Sequence, residues 1–317
     1  MSTQIRTPKS VLVTGGCGFI GANLVPQLLA DAKSVRVLDD LRTGRTEYLD
    51  EYDVEVIKGD VCDQSVVAAA MNDVDAVIHL AAAGSVVDSV ADPAGNFAAN
   101  AFGTFTVLNA VRAAGIDRMV FSSTGGALIG DATPPVNEQS VPKPISPYGA
   151  SKLAAEAYCH AFAKSYGIRT VSTRFANVYG PFSGHKKGAI TVFFKSVHRG
   201  EPIVIYGDGN ASRDFMYVDD ICAGIRLGLT ADVPGGTVVH LATGVETSVS
   251  RLARVCCEVA GRPDHPIEFR PRRPGEVERN FATYDLANEM LGFEPSVALE
   301  DGLARTWKWY LDNGVLD

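Results

Sequence analysis

The sequence predicts an α/β fold: a doubly wound parallel sheet with helices on both faces, followed by a smaller α/β domain. Two observations carry this expectation. From Ser10 to about Phe175, short β-branched runs (VLVT, SVRVL, VEVI, AVIHL, MVFSS and TVSTRF) alternate with longer helical stretches, the pattern of successive strand–helix–strand units. After Phe175 that rhythm breaks into Gly/Pro-rich loops (YGPFSGHKKG, YGDGNASRD, RPRRPGE) and helical segments such as RLARVCCEVAG and the one ending in RTWKWYLDNG. The expected division is residues 1–175, joined by about 216–242, for the first domain and 176–317 for most of the second. No repeat, low-complexity tract or long linker separates the two, so a binding cleft between them is the default expectation.

With 317 residues, 46% hydrophobic and 21% charged, the chain has ample apolar material for one or two buried cores. The lead MSTQIRTPKS lacks an apolar h-region, and no stretch reaches the ~18 apolar residues that would span a bilayer. A cytoplasmic location is therefore expected. The six cysteines form no CxxC pair and have no ligand-like spacing to histidine, which argues against both a zinc site and a disulfide framework, so reduced thiols and no metal are expected. A net charge of −8 gives no general attraction to a polyanion, so nucleic acid is a poor candidate partner.

The first strand runs into VLVTGGCGFIGANLVPQLL, with Gly15, Gly18 and Gly21 ahead of an amphipathic helix. The first glycine permits a tight turn, the second lets backbone approach a pyrophosphate, and the third lets helix and strand pack closely, as in the Rossmann fold. A glycine triplet alone is weak. Here Asp39 follows Gly21 by 18 residues, at the end of SVRVL, where a carboxylate binds an adenosine ribose. Asp39 with Asp40 favours NAD over NADP, since a 2′-phosphate would meet two negative charges; Arg42 and Arg45 weaken that preference. Pro26 inside the helix removes a hydrogen bond, at ~3 kcal/mol in isolation, so packing must hold that turn.

In SPYGASK, Ser146 can cap a helix and Pro147 suits its first position, which places Tyr148 and Lys152 one turn apart on one face. Such pairs also occur on ordinary helix surfaces. Beside a dinucleotide site, however, a phenol near a fixed ammonium can act as a base. Moving a tyrosine pKa from ~10 toward ~7 requires about 4 kcal/mol, which lysine and a positively charged nicotinamide together would supply.

At this point the chain resembles the extended short-chain dehydrogenase/reductases, and within them the NAD-dependent sugar-nucleotide epimerase/dehydratases. The matching segments are TGGCGFIG, DDLRTG, GDV, HLAA, the asparagine and GT of NAFGT, FSST, SPYGASK, RFANVYGP, YGDGNASRDFMYVDD and RRPGE, in family order over nearly the whole chain. The resemblance implies NAD as cofactor. Phe19 and Ile20 would lie under its pyrophosphate, Asp60 and Val61 beside its adenine, and Leu80, Ala81 and Ala82 along its inner half. Leu41, Thr43, Gly44, Asn100, Ser122 and Phe175 would complete those contacts. His79 reads better as a strand-end core histidine than as a ligand. Asn177, Arg213 and Arg273 match the family's contacts to a nucleoside diphosphate, UDP being the expected nucleotide. Guanidinium forks suit a diphosphate. Ser85, Tyr206, Glu276 and Asn280 are the remaining substrate candidates, while Lys186 and Lys187 match no family position and are expected at the surface.

The resemblance also gives FSST a role: Thr124 and Tyr148 would hold between them the sugar hydroxyl that is oxidised. Relatives that eliminate water or carbon dioxide carry an acid immediately after this threonine, because those steps need further proton transfer. This chain has Gly125 and Gly126 instead. The implied activity is a 4-epimerase of the UDP-glucose/UDP-galactose type: Tyr148 takes the C4 hydroxyl proton, hydride passes to NAD, and the 4-keto sugar turns over and is reduced on its other face. A dehydratase or decarboxylase is the nearest rival. A simple alcohol reductase would leave Arg213 and Arg273 without a role, and a non-catalytic nucleotide sensor would have no need of Thr124, Tyr148 and Lys152 together. Ile129 stands where the family usually has tyrosine, which puts the sugar pocket in question. The alanine-rich stretches containing Asn100 to Ala114 and Ser151 to Ser165 carry Phe102, Phe105, Tyr158 and Phe162; their family counterparts form a homodimer interface, although these aromatics could instead face the sheet. Asn280 matches a position bordering the sugar C2 substituent, where a residue smaller than tyrosine would admit an N-acetyl group. The AAAGSVVDS loop has no basic residue, so a uronic acid is disfavoured.

Overall fold

The computed structural model describes residues 8–31, 34–272 and 278–317. Seven strands, all parallel to their neighbours, form its main sheet: β1 (Ser10–Thr14), β2 (Ser34–Asp39), β3 (Glu55–Lys58), β4 (Ala76–His79), β5 (Arg118–Thr124), β6 (Arg169–Phe175) and β7 (Thr237–Leu241), in the order β7-β6-β5-β4-β1-β2-β3. β1, β4 and most of β5 are buried along their length, as unbroken apolar runs require when helices cover both faces. The seventh strand, TVVHL, lies within the stretch expected to return to the sheet; it pairs with β6 from Thr237↔Val171 to Leu241↔Phe175.

Alternation along each strand divides the core between the two faces. Val11, Val13, Val120, Val171 and Val239 pack with Leu24, Leu28, Ile221 and Ile225, on the helices Phe19–Ala30 and Val218–Thr230. Leu12, Val77, Met119 and Phe121 pack on the other face with Val67, Leu108, Ala155 and Cys159, on the helices Gln64–Ala70, Gly103–Ala113 and Pro147–Tyr166. Pro26 sits inside a continuous helix, its missing hydrogen bond offset by this packing.

The chain order reverses between β1 and β4, so their C-terminal ends open a crevice, the usual ligand position in such sheets. Over that edge lie short strand pairs: Ile203–Tyr206 with Ile267–Arg270, Asn177–Tyr179 with Phe215–Tyr217, and Ser212–Arg213 between Thr247–Ser248 and Arg279–Asn280. The helix Leu299–Asp312 holds one of these pairs through its Leu299 carbonyl, which accepts from the Tyr179 hydroxyl, and its Tyr310 hydroxyl is hydrogen-bonded to Ser183 and Thr191. Of the four aromatics singled out on the alanine-rich helices, Phe102 and Tyr158 are exposed, at 39% and 44%, whereas Phe162 is buried against the sheet. Phe105 bridges the two sets, with its ring edge-on to both Tyr158 and Phe162.

Gly21 marks where helix meets loop: an added Cβ would fall 2.4 Å from the Gly16 carbonyl oxygen. Gly21→Ala should therefore destabilise the fold by about 1–3 kcal/mol, measured as a lowered urea midpoint. An unchanged midpoint would mean that the helix can back away from the loop.

Candidate active site

The glycine loop follows β1 directly, and its three glycines do different work. Gly15 has φ +70°, and a Cβ there would strike the Ala81 backbone nitrogen at 2.6 Å, so the turn lies flat against the end of β4. Gly21 permits the close packing described above. Gly18 is different: the nearest atom to a Cβ there is the Gly15 oxygen, at 3.3 Å, so packing within the chain makes only a mild demand for glycine. Gly18 is also the helix N-cap, with no side-chain cap and no acidic residue in the first turn. That leaves N–H groups and a helix dipole aimed at an approaching anion, a cradle that fits a dinucleotide pyrophosphate.

Asp39, at the end of β2, accepts hydrogen bonds from Cys17 N (3.0 Å) and Leu41 N (2.9 Å). Burial pushes its carboxyl pKa up, against the lowering effect of these two bonds. It ties the glycine loop to β2 as well as standing where a ribose would bind, and Gly44 packs against it and Cys17. Asp40 is paired with Arg42 at 2.5 Å, and Arg42 also reaches Asp60 at 3.8 Å, so this arginine is already engaged by carboxylates. Asp60 caps the next turn through Cys62 N, and Val61 is buried beneath Gly103. Thr43 and Ala82 are exposed, while Leu80 and Ala81 are half-buried at the crevice edge.

His79 is fully buried between the hydroxyls of Thr14 (2.6 Å) and Thr104 (3.0 Å), and burial pushes its pKa down to about 3. It is a neutral core histidine, as read from the sequence. Asn100 lies in a π-turn, and its amide is engaged inside the protein: Oδ1 accepts from Ala83 N, and Nδ2 donates to Ala83 O, Asn96 and Ser151. It fastens the loop after β4 to the tyrosine helix. Ser85 likewise has a local task, capping Val86–Ala91 through Asp88 N.

The helix Pro147–Tyr166 starts as its sequence predicts, with Ser146 accepting from Gly149 N at 3.2 Å. Thr124 ends β5 near enough to Tyr148 to lower the phenol pKa; burial outweighs this and pushes it up to about 12. Within the chain, burial sets the direction of the Tyr148 shift. Lys152 Nζ donates to the Ser122 carbonyl at 2.8 Å and lies over the Phe121 ring, and burial brings its own pKa down to about 8. Ser122 donates to the His79 carbonyl, and the Phe175 carbonyl accepts from Gly125 N, so both brace the strand ends.

Gly125 and Gly126 are closely backed. A Cβ on Gly125 would lie 3.1 Å from His240 Nδ1, and one on Gly126 would lie 2.9 Å from Asn280 Nδ2. Asn280 is the register partner of Arg213, so these two substrate candidates share one small sheet. Arg213 donates to the Ser212 and Glu278 carbonyls. Asn177 is exposed, its amide on the Asp214 carbonyl. Tyr206 ends its strand, half-buried. Arg273 and Glu276 lie outside the described residues. Ile129 is fully buried with Leu128, Val136, Ala242 and Ala282, so here a packed aliphatic replaces the usual tyrosine. Lys186 has its ammonium over the Phe19 ring, closer to the glycine loop than its sequence context suggested.

Several contributors escaped the sequence reading. Asp214 is buried and accepts from Thr243 N, Thr243 Oγ1 and Gly244 N, clamping the Arg213 strand to the loop after β7. Burial raises its pKa to about 6 despite those bonds. His240 was hidden inside a strand pattern. Among the described residues no cluster of His, Cys, Asp or Glu could hold a metal ion, and no helix is long and apolar enough to cross a membrane.

Residues 11–242 match the model of the NAD dependent epimerase/dehydratase family. The chain is 37% identical over 310 residues to the UDP-glucose 4-epimerase of Mycolicibacterium smegmatis, covering 94% of this chain and 97% of that one. It is 32% identical to the dTDP-glucose 4,6-dehydratase of Streptomyces niveus, covering 96% and 93%. The crystal structure of UDP-glucose 4-epimerase from Thermotoga maritima with UDP-glucose superposes with a TM-score of 0.91 at 34% identity, covering 96% of this chain and 99% of that one.

Proposed function

Since the chain belongs to the NAD-dependent epimerase/dehydratase family, we propose that it is a cytoplasmic, homodimeric nucleotide-sugar 4-epimerase acting on UDP-sugars. The observation that favours epimerisation over elimination is the backing of the two glycines after Thr124. Neither glycine carries the acid that water loss needs, and His240 and Asn280 pack close against their bare backbones. Identity to the Mycolicibacterium epimerase along nearly the full chain supports the same reading.

Gly18 and the first turn of the helix Phe19–Ala30 would hold the cofactor's pyrophosphate, and Asp39 its ribose. In its oxidised form the bound cofactor would supply a hydride acceptor that later returns the hydride, together with a positive charge. Thr124 and Tyr148 share the C4 hydroxyl; Thr124 orients it and Tyr148 removes its proton and later restores it. Because burial holds the phenol near 12, proton removal depends on positive charge at the site, to which Lys152 contributes from the Ser122 carbonyl. Arg213, Asn177 and Tyr206, with Arg273, hold the nucleoside diphosphate. That remote anchor retains the 4-keto sugar while it rotates.

Tyr148→Phe should lower turnover by about 10²–10⁴-fold, and Thr124→Val by about 10²-fold, with NAD and UDP affinities little changed. Interconversion of UDP-glucose and UDP-galactose is the assay, and near-normal activity of Tyr148→Phe would refute the mechanism.

The homodimer rests on the exposed aromatics Phe97, Phe102 and Tyr158, at 60%, 39% and 44%, a patch that pairing would cover. Light scattering at micromolar concentration should give twice the chain mass; a monomer mass would reject the assignment.

Asn280 packs its amide against Gly126, beside Thr124, and this supports its assignment as the gate on the sugar's C2 substituent. UDP-N-acetylhexosamines should be accepted alongside UDP-hexoses. Asn280→Tyr should suppress the former by roughly 1–3 kcal/mol in kcat/KM, and an unchanged ratio would remove Asn280 from the pocket wall.

A further inference from the structure

Three buried polar atoms with no hydrogen-bond partner, Ser123 Oγ, Arg174 Nη1 and His240 Nε2, belong to one row across the sheet. Ser123 on β5 is the register partner of Arg174 on β6, and Arg174 is the partner of His240 on β7. The row lies beneath the tyrosine helix, because Arg174 Nε and Nη2 donate to the two carboxylate oxygens of Glu156 at 3.0 and 2.8 Å. Both side chains of this pair are about nine-tenths buried or more, and Glu156 follows Lys152 by one helical turn on the same face.

A buried ion pair is weak evidence for stability, since removing two charges from water offsets most of their attraction. Its surroundings suggest another use. The titratable groups around Lys152 are Tyr148, Glu156 and Cys159 on its own helix, His79 on β4 and Arg174 on β6, with His240 beyond Arg174 on β7. The two histidines are neutral, with pKa values near 3, and burial raises the Cys159 thiol to about 12. Desolvation lowers the Lys152 pKa most, and Cys159 and then Glu156, both on its own helix, favour its charged form against that effect. A carboxylate free to swing would draw the ammonium to itself. Arg174 prevents this by engaging both oxygens, and the ammonium stays on the Ser122 carbonyl.

We infer that the Glu156–Arg174 pair is a positioning device for Lys152: Glu156 favours the ammonium from one turn along the helix, while Arg174, engaging both carboxylate oxygens, keeps the carboxylate from drawing the ammonium off the Ser122 carbonyl at the reaction site. The consequence for turnover rests on the epimerase reading; the effect on Lys152 does not. The sign follows from Coulomb's law: removing the anion lowers the lysine's pKa, so Lys152 loses its charge at lower pH and the alkaline limb of activity moves down.

The test uses Glu156→Gln and, because that change strands a buried guanidinium, the double variant Glu156→Gln/Arg174→Met, which removes both charges. Thermal unfolding, kcat and KM would be measured from about pH 6 to about pH 9.5, with a ¹³C NMR titration of Lys152 Cε assigned by difference from Lys152→Met. In the double variant we expect near-native melting, KM within about twofold, kcat reduced roughly tenfold at pH 8, and a Lys152 titration lowered by at least about half a unit. A stably folded double variant with the parent's titration and alkaline limb would overturn the inference and leave the pair a merely structural one. Because the titration needs no substrate, a lowered Lys152 with no activity of the parent on any UDP-sugar would count against the epimerase reading alone.

Discussion

Burying the ammonium of Lys152 is the constraint on which the site depends. A lysine at 2% exposure must donate to something, and the donation goes to the main-chain carbonyl of Ser122, inside β5. A side chain bonded to a strand carbonyl fixes the rotation and height of its helix against the sheet, and that sets the Tyr148 phenol against the Thr124 hydroxyl two residues further along β5. The other attachments of this helix act in the same sense. Ser146 caps its start, Ser151 is held by Asn96 and Asn100, and Glu156 is clamped by Arg174. Four polar anchors along three turns leave little freedom to slide, which suits a group that must meet one sugar hydroxyl.

The cofactor side follows the same economy on the opposite bank of the crevice. Asp39 joins β2 to the glycine loop through Cys17 N while presenting its carboxylate at the strand end, so one side chain shapes the loop and also fits the proposed ribose contact. Gly15 lies against Ala81, and Asn100 holds Ala83, which couples the loops after β1 and β4. The crevice at the topological reversal is thus bounded by loops bonded to each other as well as to their own strands.

The region over the sheet's edge has only short strands, and carboxylates accepting backbone N–H groups tie its loops together. Asp214 clamps Thr243 and Gly244, and Asp220 accepts from Ser296 and Val297. Such clamps place Arg213 and Asn280 side by side without long strands, so the geometry of the substrate face depends on a few charged hydrogen bonds. Gly125 and Gly126 complete it by omission, since their bare backbones let His240 and Asn280 come close to the end of β5.

What the sequence determined by itself was whatever is written in local order: the strand–helix alternation, the glycine triplet answered by Asp39, the capped helix carrying Tyr148 and Lys152, and the core position of His79. Each is a pattern of spacing or turn chemistry within a few dozen residues. What only the tertiary structure decided are contacts between positions with no periodic relation. Lys152 goes to a carbonyl 30 residues away; Asn100 and Ser85 spend their polar atoms inside the chain; Phe162 turns inward while Tyr158 turns outward. The Glu156–Arg174 pair and the packing of Asn280 on Gly126 belong to the same class. Partners of this kind are chosen when sheet register and helix packing bring buried polar groups within reach, because each such group must then be satisfied by whatever neighbour the fold supplies.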